Sequence, residues 1–396
     1  MKYAVISCDG MSERIIHEEK TETPLSSACI PASDRLSCLG EYGIAKTTDS
    51  VNLPDTLRTN MYLMGYDPRC LAFGESALRA VAGGISISPG DVVFSCKPVS
   101  LSDEEKYADK TILSCISDVN EEENRAMCKL LSDKLGSDTF SFRVSSCGEL
   151  FLIWHKGEPD PGIFYSPDAG KKMTEALPKG DFVEPLCILM KKSYDVCFNA
   201  AVNEKRKETG KQEISGIFIS EAGIVPEAVS FIEKYGIRGT VISNDTGLSG
   251  FAELIGMESV FYKDIESSRI AEEAVDRLRG GTDYVYIHIS SPLEYSLKTD
   301  AAGKLRSIGI IDKYVVSKVI EGLSGLGEEY RIMLISSFSC SGTEGYPTSE
   351  PVPYVIYDSQ STEGVSDTSF SEHKAFEAGN YLKYGTDITK YLISAD

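Results

Sequence analysis

Two oxygen-bearing side chains stand where a folded sheet would present them to a ligand. The apolar run Tyr3 to Cys8 is too short for a helix, is rich in β-favouring residues, and stops on Asp9 and Gly10. It reads as a buried strand of a parallel sheet, with Asp9 at its carboxyl end. Open α/β sheets bind ligands at that edge, and an aspartate there can hold a metal ion or a phosphate-bearing cofactor. The same Asp-Gly pair also suits a plain turn. Further on, Thr56 follows Pro54 and Asp55 at the expected start of a helix. Free backbone N–H groups there favour an anion or an alkoxide at the Thr56 hydroxyl. The plain alternative is that Thr56 or Asp55 caps the helix.

The elements that must position these groups are read from periodicity. Strands are expected near 42–46, 214–219, 240–243, 284–289, 331–336 and 354–357, alternating with helical patterns at 226–235, 267–279 and 303–323. That alternation implies βαβ units and an α/β core. Ser33 or Asp34 is expected to cap a short helix after Pro31. Between Asp109 and Lys171 the pattern changes to a helix through Leu135, closed by Gly136, and strands at 140–144 and 150–154. This segment, 109–171, is expected to be a smaller inserted α+β cap domain, leaving 1–108 and 172–396 as the core. Trp154, the sole tryptophan, is expected in the core. The Ser/Gly/Thr-rich stretches 336–349 and 358–369 are expected as loops with solvated serines.

Composition narrows the partners. Sixty acidic residues against forty basic ones give a formal charge of −20, which repels nucleic acid and anionic membranes. A small acidic metabolite is the partner class left open, and it would need a local basic patch. Eleven scattered cysteines with no Cys-x-x-Cys pair read as reduced thiols. With no basic and apolar leader and no run of transmembrane length, the expected location is cytoplasmic.

Several motifs together resemble a known family. They are Asp9-Gly10-Met11, Thr23-Pro24-Leu25, Pro31 with Asp34-Arg35-Leu36, and Asn60 with Leu63, Gly65, Tyr66, Asp67 and Pro68. Gly90-Asp91-Val92, Ala201-Val202-Asn203, Lys234-Tyr235-Gly236, the strand bearing His288, and Pro351-Val352-Pro353 extend the match. The chain resembles the archaeal-type cofactor-independent phosphoglycerate mutases and their relatives proposed to be homoserine kinases. The resemblance implies an alkaline-phosphatase-like core, with a mixed, mainly parallel sheet between helices and an inserted cap. It also implies two divalent cations, manganese or similar, about 4 Å apart, which activate a hydroxyl nucleophile.

Carried over by position, the implied site is thin. Asp9 matches the first metal ligand and Thr56 falls at the nucleophilic serine, an exchange of one alcohol for another. The family's Asp-Glu-Ala-Gly-His motif is Leu293-Glu294-Tyr295-Ser296-Leu297 here, so only Glu294 survives as a weak candidate ligand. The Asp-His pair after the strand 332–335 is Ser337-Phe338, and the last histidine ligand falls near Pro347. Family arginines fall at Glu75, Ser95 and Glu149, and an asparagine falls at Lys97. The chain has four histidines, His17, His155, His288 and His373, and His288 matches a family histidine that is not a ligand. Two readings follow. One is a catalytically silent homologue, repurposed for binding or regulation and needing no cofactor. The other is an active metal-dependent mutase or related phosphotransferase with Thr56 as nucleophile. In the silent reading Leu293, Leu297 and Phe338 wall a partly collapsed pocket. Asp9 then takes new partners among backbone N–H groups, Thr56 and Lys298.

Overall fold

The computed structural model describes residues 1–14, 22–48, 53–71, 74–198, 200–263, 268–361 and 366–394. His17, residue 267 of one expected helix and part of the 358–369 stretch lie outside the described residues. The chain divides into two compact units, Met1–Cys70 with Ala228–Asp396, and Leu71–Glu227.

Strands are numbered in chain order. The first unit carries β1 (Lys2–Cys8) and β2 (Glu41–Ala45). The second carries β3 (Val92–Leu101), β4 (Ile112–Cys115), β5 (Phe140–Val144), β6 (Leu150–Trp154) and β7 (Gly216–Gly223). The chain then returns to the first unit with β8 (Gly239–Ser243), β9 (Glu258–Phe261), β10 (Tyr284–Ile289), β11 (Tyr330–Ser336), β12 (Ser339–Cys340), β13 (Pro347–Thr348), β14 (Val352–Asp358) and β15 (Asn380–Leu382).

The first unit is built on an eight-stranded sheet ordered β15-β2-β14-β11-β1-β10-β8-β9. Only β14 pairs antiparallel with its neighbours, so the sheet is mixed and mainly parallel, as expected. β1 lies between β10 and β11 and is buried along its whole length, which is why its sequence is a continuous apolar run. Alternation sorts its residues by face. Ala4, Ile6 and Cys8, with Val285, Ile287 and Ile289, join a core cluster covered by residues of the helices Ser268–Arg279, Ala301–Ile311 and Ser317–Ser324. Ser7, Tyr286 and His288 therefore point to the opposite face, where the helix Thr56–Leu63 meets them.

The second unit is an antiparallel sheet in which β3 pairs with β4, β6 and β7. Its apolar face packs Phe94, Phe142 and Leu152 against Met127 and Leu131 of the helix Glu121–Leu135 and Leu186 and Met190 of the helix Glu184–Cys197. Asn120 and Glu123 form a reciprocal capping box at the start of the first of these helices, and Gly136 ends it as expected. Trp154 is half-buried against this cluster. The expected insert 109–171 lies inside this unit together with the flanking segments 71–108 and 172–227. The reason is β3, whose residues 93–99 pair with 216–223 of β7, a pairing too distant in sequence for local patterns to reveal.

Two local expectations are corrected. The helix Pro31–Leu39 is capped neither by Ser33 nor by Asp34. Its free N–H groups at Ala32 and Ser33 donate to the carboxylate of Asp312 at 3.1 and 2.7 Å, and Asp34 instead accepts from Phe370 N. The helix expected over 226–235 is confined to Phe231–Tyr235, where Ser230 caps it.

Candidate functional site at the carboxyl edge of the sheet

The parallel register assembles this site. Ser7 lies beside His288 on one side and Ile335 on the other, and the ladder runs on past the strand ends. Asp9 N donates to Ile289 O, and Ser337 N donates to Cys8 O. Asp9 is thereby set beside the ends of β10 and β11, and it is fully buried. Gly10 turns the chain with φ +62, a backbone conformation that favours glycine, and a Cβ there would press on Leu293 at 3.1 Å from its Cα.

Four side chains donate to Asp9. Thr56 Oγ1 reaches Oδ2 at 2.6 Å and His288 Nε2 reaches the same oxygen at 3.0 Å. Ser337 Oγ and Asn60 Nδ2 reach Oδ1 at 2.5 and 3.2 Å. The donors are themselves held in place. Asn60 accepts at Oδ1 from Ser7 Oγ at 2.8 Å and from Tyr286 Oη at 2.6 Å, and its amide also donates to Thr56 O. Ser243 Oγ stands 2.9 Å from His288 Nδ1 and accepts from Asp245 N. Asp55 caps the helix Thr56–Leu63 by accepting from Arg58 N, so the capping role falls to Asp55 and the Thr56 hydroxyl is free to face Asp9.

Electrostatics fixes the protonation of this cluster. Burial pushes the Asp9 carboxyl up, but the imidazolium of His288 and the hydrogen bonds from His288, Ser337 and Thr56 outweigh it, and its pKa falls below the usual carboxylate range. Burial likewise pushes His288 down, and the Asp9 carboxylate outweighs it, with Asp245 and Glu294 adding to the rise. Asp9 and His288 are therefore a buried ion pair. With both ring nitrogens protonated, Nδ1 donates to Ser243.

Of the residues singled out from the sequence, Thr56 and Asp9 come together, and Glu294 does not join them. Its carboxylate is exposed on the helix Ser291–Leu297 and accepts from Ser290 Oγ at 2.6 Å. Leu297 is 56% exposed, whereas Phe338 is buried and Leu293 is half-buried against Gly10. Lys298 is exposed and is not the cation beside Asp9; that cation is His288. The serines of the 336–349 stretch include three that are buried, Ser336, Ser337 and Ser339, so the expectation of solvated hydroxyls is corrected there. His288, Ser337 and Asn60 were missed as Asp9 partners. For His288 the signal was in strand parity, since Tyr284, Tyr286 and His288 share a face.

Comparison with known proteins bears on this geometry. A family profile described as 2,3-bisphosphoglycerate-independent phosphoglycerate mutase matches residues 39–203. A probable 2,3-bisphosphoglycerate-independent phosphoglycerate mutase of Geobacter sulfurreducens is 28% identical over 400 residues, spanning 99% of this chain and 100% of that protein. The corresponding mutase of Methanosarcina barkeri is 27% identical, with each chain covered in full at 100%. The chain resembles the cofactor-independent phosphoglycerate mutases throughout its length. In fold it matches a solved Pyrococcus horikoshii protein with a TM-score of 0.77 at 20% identity, covering 99% of this chain and 96% of that one. The cofactor-independent phosphoglycerate mutase of Thermoplasma acidophilum gives a TM-score of 0.63 at 22% identity, covering 99% of both chains.

The two divalent cations that the mutase resemblance implies do not fit the donors present. A carboxylate offers about four lone-pair positions, and Asp9 uses them on Thr56, His288, Ser337 and Asn60. Among the described residues no group of three or more His, Cys, Asp or Glu side chains is placed to hold a metal ion.

Proposed function

We propose that this phosphoglycerate mutase homologue retains the family fold while its carboxyl-edge site works without paired divalent cations, catalytically silent at that site and binding a small acidic metabolite there in the cytoplasm. The observation that carries this reading is the saturation of Asp9 by four side-chain donors, one of them an imidazolium. The imidazolium replaces a metal's charge locally, but it does not replace its chemistry. Thr56 points its proton at a carboxylate whose pKa is depressed, which makes Asp9 a poor base for generating an alkoxide.

A second reading, an active mutase or related phosphotransferase with Thr56 as nucleophile, is favoured by the comparisons, since the relatives matched over 99–100% of this chain are named as mutases. A single assay separates the two. Purified protein is incubated with 3-phosphoglycerate and manganese, and 2-phosphoglycerate is followed. The silent reading expects no turnover above that of a Thr56→Ala variant. Turnover that is abolished by chelator and by Thr56→Ala overturns it in favour of the second.

A further inference from the structure

A second chemically organised cluster lies within the Leu71–Glu227 unit, independent of the Asp9 site. Ser141 Oγ stands 2.9 Å from His155 Nε2, and His155 Nδ1 stands 3.2 Å from Asp91 Oδ2. The strand register explains the convergence. β5 pairs Ser141 with Ile153 of β6, so His155, two residues on and on the same side, is its diagonal neighbour. β3 pairs Val92 with Trp154, which brings Asp91 alongside His155 from the other flank.

The hydrogen bonds set the tautomer. Asp91 Oδ1 also accepts from Lys156 N at 3.2 Å and Oδ2 from Ser88 N at 3.3 Å, so its carboxylate is an acceptor throughout. His155 must then donate from Nδ1, and in the neutral ring Nε2 is left to accept the Ser141 proton. The Asp91 side chain is 5% exposed, the imidazole is 37% exposed, and Ser141 is half-buried. Lys156, directly after the histidine, holds a left-handed φ of 49, a conformation seldom adopted by a non-glycine residue. A cavity of about 380 Å³ adjoins the cluster on its Asp91 side, walled by Asp91 and Gly157 with Ile87, Val92, Ile224, Val225 and Glu227 and not by Ser141 or His155.

We propose that Ser141, His155 and Asp91 form a nucleophile, base and orienting acid that accept the acyl group of an ester. In that step the Ser141 Oγ–carbonyl carbon bond forms while its proton passes to His155 Nε2. The imidazolium, held by Asp91, then protonates the departing alkoxide as the ester C–O bond breaks. Water, deprotonated by the same nitrogen, attacks the acyl carbon and releases the acid, which restores the serine.

The test treats the full chain with a fluorophosphonate probe, in which the Ser141 Oγ–phosphorus bond forms and fluoride leaves, and reads the site by mass spectrometry. The wild type is expected to label stoichiometrically at Ser141. Ser141→Ala is expected to lose the label, and His155→Gln to slow labelling about 100-fold or more, the scale of general-base assistance. Circular dichroism confirms that the variants fold. Asp91→Asn, which keeps the side chain's shape, provides a second slow variant should His155→Gln unfold. No labelling of the wild type, labelling at another serine, or a folded His155→Gln or Asp91→Asn that labels at the wild-type rate overturns the proposal and leaves the three residues as a structural tie between strands. Because the Asp9 site takes no part, the outcome is independent of the mutase assay.

Discussion

Replacing His288 with leucine removes the cationic partner that Asp9 has among the described residues and leaves a carboxylate at zero exposure facing three neutral donors. Removing one member of a buried ion pair is destabilising by about 3–5 kcal/mol, because the remaining charge stays desolvated. Three surviving hydrogen bonds place this case toward the lower end, near 3 kcal/mol. Asp9→Asn leaves an imidazole that can shed its proton, so its expected loss is about 1–3 kcal/mol, that of an imperfectly paired polar group. In the double variant the two losses should fall short of their sum by about 1–3 kcal/mol, the coupling of the pair. The pH dependence has a definite sign. The pKa of His288 is raised from its ordinary 6.5, so its contribution is complete below 6.5 and is lost as pH climbs through the raised value. The pKa of Asp9 is lowered from 3.8, so its contribution is present above 3.8 and is lost as pH falls through the lowered value. Urea denaturation of the wild type from pH 4 to 9 should therefore show a decline above pH 6.5 that His288→Leu lacks. A His288→Leu variant that loses under about 1 kcal/mol, or that keeps the alkaline decline, refutes the buried ion pair.

Two further variants test the frame around the site. Gly65 holds φ +84, and an added Cβ would stand 1.9 Å from Tyr235 Oη, so Gly65→Ala should destabilise by about 1–3 kcal/mol in thermal or urea melts. Arg206 is fully buried and donates to both Glu123 oxygens, to Asp118 and to the Gln212 carbonyl, so Arg206→Ala should lose about 3–5 kcal/mol, and Arg206→Lys should recover only part of that because it cannot reproduce the fork.

Where local pattern and chemistry agree, the structure was legible in advance. The run ending at Asp9 is an interior strand, Thr56 opens a helix, and the two side chains meet, because a strand's carboxyl edge and a helix N-terminus are both written in short stretches of sequence. The other partners of Asp9 were not legible in this way. His288 lies 279 residues from Asp9 and reaches it only through the register of β1 on β10. Ser337 falls where the resemblance places a ligand, and its donation to Asp9 Oδ1 follows from the ladder that sets Ser337 beside Cys8, not from residue type. The extent of the second unit depended on β3 pairing with β7 across more than a hundred residues, a long-range choice that no local periodicity encodes. The cap on the helix Pro31–Leu39 was misplaced for the same reason, since Asp312 arrives from a distant segment.

The central claim is that Asp9 is committed to side-chain donors and does not anchor a pair of cations. Its most direct test is the metal content of the purified protein after incubation with manganese and removal of free ion. The account predicts a sub-stoichiometric residue of manganese that is the same in the wild type and in Asp9→Asn. Two manganese ions retained per chain, and lost on Asp9→Asn, would contradict it.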